Sequence, residues 1–68
     1  MGKNNKIKFS GLLAEMARKG ENYSTLSNLL NISESSISRR FSGETEWSIN
    51  EIEIISKYYN KDYYELFT

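Results

Sequence analysis

Residues 22–43, NYSTLSNLLNISESSISRRFSG, leave the chain few folds to choose from. Asn22 has a side-chain oxygen that can accept the free amides of a helix's first turn. Leu26, Leu29 and Leu30 then recur at the i, i+3, i+4 spacing of one apolar helix face. Asn31 interrupts that face. Asn tolerates left-handed backbone better than most residues, so it can stop a helix where Gly usually does. Ile32 is a lone apolar residue in the turn, expected as a buried plug. Ser33 is a second N-cap, Ile37 and Phe41 start a new apolar stripe, and Gly43 stands where helices end. Two short helices joined by about three residues make a helix-turn-helix.

The second of these helices has an unusual outer face. Glu34, Ser35, Ser38, Arg39 and Ser42 all lie away from Ile37 and Phe41. Arg can bond guanine with two donors, and Ser can serve either base type, so small hydroxyls beside an Arg suit close approach to a base-pair edge. Ser and Arg can also simply solvate an exposed helix. Ser is a mediocre helix former, however, and the run from Ser33 to Ser38 is a poor choice for solubility alone.

At 68 residues the chain makes one domain. Such a chain buries only about 60% of its unfolded surface, so it must be compact. It has no Cys, no His and no Pro. That removes disulfides, thiolate metal sites and the usual nucleophile–base pairs, and no cofactor or metal is expected. No apolar run is long enough to span a membrane, and residues 1–6 are too polar and short for a signal peptide, so the expected location is cytoplasmic. Net charge is zero, but it is unevenly placed: residues 1–43 carry +4 and residues 44–68 carry −4. A basic half and an acidic half suit a module that presents one side to a polyanion, and also fit ordinary surface variation.

Residues 1–6 read as a polar, flexible arm and residues 7–68 as the domain. Three lysines, Lys3, Lys6 and Lys8, fall near the start, where a solvated tail is expected ahead of a phosphate-reaching arm. The spacing of Phe9, Leu12, Leu13 and Met16 predicts a first helix over residues 9–19, with Ile7 covering its start and Gly20 ending it. Glu15 and Lys19 are an i, i+4 pair in the favourable order. Ser48 and Glu51 form a capping box, flanked by Trp47 and Ile52 at the positions of a hydrophobic staple. They predict a helix over residues 49–59, with Ile52, Ile55 and Tyr59 inward, Ile54 and Tyr58 beside them, and Asn60 closing it. Asp62 and Glu65 resemble a second capping box opening a last turn, from which Leu66 and Phe67 fold back onto the core. Five of the nine aromatic residues fall in the last eleven positions. Phe67 and Tyr59 are expected in the core. Tyr58, Tyr63 and Tyr64 are expected either there or on a self-association surface, since exposed apolar patches often mark interfaces.

Taken together, GLLAEMARKG, STLSNLLNISESSISRRFSG, TEWSINEIEIISKYYN and DYYELF resemble the phage Cro/repressor and Xre-like family of helix-turn-helix DNA-binding proteins over residues 9–67. The resemblance implies an all-α, lambda-repressor-like compact bundle of five short helices, with the third helix in the major groove of double-stranded DNA. It implies base contacts from Glu34, Ser35, Ser38 and Arg39, although Glu34 is expected first to complement the helix dipole and only second to read a base. It implies phosphate contacts from Asn22 and Tyr23 at a helix start, where amides favour anions, and from Ser42, Thr45 and Arg40. The chain departs from the family where Glu21 replaces an apolar residue. It departs again at Glu44 and Glu46, where Lys or Arg commonly meets a phosphate; acids there weaken the salt-dependent part of affinity.

The expected function is therefore that of a non-enzymatic, Cro-like transcriptional regulator, whose Asn, Lys, Ile and Tyr richness hints at a phage or mobile element. It would act as a homodimer on an inverted-repeat operator with half-sites about one turn apart, with no small-molecule ligand. The rival expectation is a protein-docking module or an antitoxin. Zero net charge, the acidic loop and the tyrosines near the C-terminus speak for it.

Overall fold

A computed structural model describes residues 8–67. These form five helices and no strand: α1 Ser10–Arg18, α2 Tyr23–Leu30, α3 Glu34–Ser42, α4 Ile49–Tyr59 and α5 Tyr63–Leu66. The expected arm over residues 1–6 and the covering role of Ile7 lie outside the described residues.

Local sequence signals set nearly every boundary. Asn22, Ser33, Ser48 and Asp62 are N-caps whose side chains accept first-turn amides, and Asn22, Ser48 and Asp62 complete reciprocal capping boxes. Gly20, Asn31, Gly43 and Asn60 close α1 to α4 in left-handed backbone. At each closure the next residue's amide returns to a carbonyl of the last turn: Glu21 to Met16, Ile32 to Ser27, Glu44 to Arg39 and Lys61 to Ser56, at 2.8–3.1 Å. The expected stops thus form with one shared geometry.

The helix-turn-helix pair α2–α3 packs together, α4 lies on α2, and α5 bridges α1 and α4. Leu12, Met16, Leu26, Ile37, Phe41, Ile55, Tyr59, Leu66 and Phe67 form the core. Ile32, the expected plug, is half-buried against it. Tyr59 and Phe67 are buried as expected. The α1–α5 contact is unusually close, since a Cβ on Gly11 would stand 1.8 Å from the Glu65 carbonyl oxygen.

Two features differ from expectation. Phe9 is the N-cap of α1 and not its first turn, with φ +59° and no side-chain cap. A bulky residue there is strained. Its ring is held edge-on by Phe41, Trp47 and Phe67, with centroids at 6.1, 6.1 and 6.3 Å. Such pairs add about 0.5–1.5 kcal/mol each beyond burial. The Glu15–Lys19 pair is also replaced. Glu15 is buried and meets Arg18 at 2.7 Å and Lys61 at 3.8 Å. Lys19 instead lies over the rings of Tyr58 and Tyr59.

Candidate nucleic-acid interface

The Ile37–Phe41 stripe buries one side of α3, and that orientation turns the opposite side to solvent. Glu34, Ser35, Ser38 and Arg39 are all exposed, and none of their side chains makes a hydrogen bond or ion pair among the described residues. They share one continuous face. The rest of α3's polar side chains are engaged. Ser33 and Ser36 join through their hydroxyls at 3.0 Å at the helix start.

Arg40, expected at a phosphate, pairs within the fold. Its Nε and Nη2 donate to the two carboxylate oxygens of Glu51 at 2.9 and 3.0 Å, and Nη1 donates to the Ser36 carbonyl at 3.1 Å. Its side chain retains 16% exposure. The fork-to-carboxylate fit is the strong geometry for Arg. Glu51 also accepts the Ser48 amide that opens α4, so one carboxylate ties the start of α4 to the flank of α3. Burial acts to raise the Glu51 pKa, but the Arg40 and Ser48 hydrogen bonds outweigh it and hold the group below its ordinary value.

The other residues expected at phosphates make contacts of their own within the fold. Asn22 accepts the Ser24 amide at 3.0 Å, and Tyr23 lies flat on Phe41 with centroids 4.9 Å apart and planes 8° from parallel. That stack ties the start of α2 to α3. Ser42 donates to the Arg39 carbonyl at 2.9 Å and accepts the Glu44 amide, so its hydroxyl serves first to close α3. Thr45 is half-buried beside it, in a cleft of about 390 Å³ whose walls include Lys8, Phe9, Arg40, Gly43 and Trp47. Glu44 and Glu46 are exposed there, with no ion pair among the described residues.

The three tyrosines separate. The Tyr58 hydroxyl donates to Glu21, which also accepts the Tyr59 hydroxyl at 2.7 Å. The acid that stands in place of an apolar residue thus has two partners, and these hydrogen bonds hold its pKa below the ordinary value. Burial first, and the Glu21 hydrogen bond second, push the Tyr59 pKa up. Tyr63 stacks on Phe67 and meets Tyr64 edge-on. Tyr63 remains 45% exposed and Tyr64 75% exposed, with Ile49 at 77%.

Sequence spacing located α3's outer face and its caps but not the Arg40–Glu51 or Glu21–tyrosine contacts. Eleven residues separate the first pair and 37 and 38 the second, far beyond helical periodicity. No described helix is long and apolar enough to cross a membrane. No curated protein and no solved structure matches the chain. The family model of the BetR domain matches residues 11–68, almost all of the α1–α5 bundle, and the chain belongs to that family of small helical domains of helix-turn-helix type.

Proposed function

We propose that the chain is a sequence-specific, double-stranded-DNA-binding transcriptional regulator that works like a small Cro-type repressor, as a homodimer on an inverted-repeat operator. One observation carries this reading: Glu34, Ser35, Ser38 and Arg39 stand unpaired on one face of α3 while its other polar side chains find partners inside the fold. Polar groups without internal partners are available to base edges. Arg39 would take a guanine with two donors, and Ser35 and Ser38 would adapt to either base. The start of α2 would hold a phosphate and fix the register of α3. Repression would follow from excluding polymerase, with no catalysis by the chain and action in the cytoplasm.

Tyr58, Tyr63 and Tyr64, with Ile49, support the dimer, being large side chains that remain 41–77% exposed. These exposed side chains also favour the second reading, a module that docks another protein. Selection of bound sites from a random duplex pool at moderate salt separates the readings. An enriched inverted repeat supports the dimeric regulator. A single half-site keeps the DNA function and removes the symmetric dimer. No enrichment over beads alone overturns DNA binding.

A further inference from the structure

We propose that Lys8 supplies the phosphate-contacting cation at the end of α3, in place of the loop that follows the helix; the proposal rests on the DNA-binding reading. That loop, residues 44–47, offers two acids and no Lys or Arg. Arg40, the nearest base on α3, has Nε, Nη1 and Nη2 all donating within the fold. Arg39 faces outward on the base-reading side.

Lys8 comes to the same place from the other end of the chain. Its Nζ lies 2.7 Å from where a Cβ on Gly43 would stand, so the absence of a side chain at the end of α3 makes room for it. The left-handed turn at Phe9, locked by the ring cluster, fixes where residue 8 leaves α1. The carbonyl end of α3 attracts a cation. Lys8 is exposed and makes no ion pair among the described residues, although Glu46 lines the same cleft. An ammonium on a flexible stem is a compact point charge, suited to a backbone phosphate and indifferent to base sequence. Gly43, Thr45 and Lys8 line one cleft, against which a phosphodiester of the duplex can rest.

Binding of a random-sequence duplex and of the selected operator, followed across a salt series, tests this. Lys8→Gln is expected to reduce the slope of log affinity against log salt by about 0.9 and to weaken both duplexes by the same factor. Lys8→Arg keeps the charge and restores both. Lys57→Gln, on the exposed side of α4, leaves the slope unchanged. Lys8→Gln with the parental slope overturns the proposal while DNA binding by the parent chain stands. Weakening of the operator alone also overturns it, because a phosphate contact does not discriminate sequence. If the parent chain binds neither duplex, this proposal and the reading beneath it fall together.

Discussion

The outer face of α3 and the seam where α4 meets the entrance of α2 handle polar side chains in opposite ways. At the seam, Glu21 takes both tyrosine hydroxyls and Lys19 covers the two rings. On the outer face of α3, Arg39 and three neighbours have no partner among the described residues. Both regions are charged and solvent-accessible, so composition cannot separate them. Pairing does. A polar group satisfied inside the fold contributes to stability, whereas one left open is free to be satisfied by something else. Arg39 and Arg40 compress the contrast into adjacent positions.

Substitutions at these positions break the comparison or sharpen it. Arg40→Ala leaves Glu51 without its fork and should cost about 2–3 kcal/mol, between the values for exposed and fully buried pairs. Thermal melting should show it as a drop on the order of 10–20 °C, with operator affinity retained by the molecules still folded. Arg39→Ala should do the reverse, weakening operator binding by about 1–3 kcal/mol with the melting temperature held. If the two arginines exchange these phenotypes, the division between stabilising and reading residues is wrong. Tyr59→Phe deletes one buried hydroxyl donor and should cost about 1 kcal/mol in denaturant unfolding, with no change in site preference.

The smallest effect is in pH. Glu21 has a lowered pKa in the folded chain, so the unfolded chain binds its proton more readily. Its stabilising contribution is therefore complete above the ordinary carboxylate value of 4.5 and is lost as pH falls through the lowered one. Melting curves from neutral to acid pH should fall less steeply for Glu21→Gln than for the parent. An identical pH profile would show that the tyrosine contacts do not bias Glu21 in solution.

What the sequence could disclose follows from the range of each interaction. Caps and stops act within about four residues, and Asn22, Ser33, Ser48, Asp62 and the four left-handed closures could all be read directly. The outer face of α3 was legible for the same reason, since Ile37 and Phe41 orient the helix. Glu51 looked like a complete capping residue, and only the fold reveals that its carboxylate also holds Arg40. Glu21 looked like an anomaly until two tyrosines met it. Phe9 fits a helical stripe by spacing, whereas its left-handed backbone goes with contacts to three distant rings that no local pattern contains.

Gly11 gives the fold a marker that can be looked for in other chains. With the Glu65 carbonyl oxygen 1.8 Å from the site of a Cβ, no L-residue with a side chain fits while α1 and α5 keep this crossing. A relative with Gly at the equivalent position can seat its last turn as this chain does. One with Ala or anything larger must have shifted that turn, and with it Tyr63 and Tyr64. A single letter near the start of such a sequence therefore forecasts the surface at its other end.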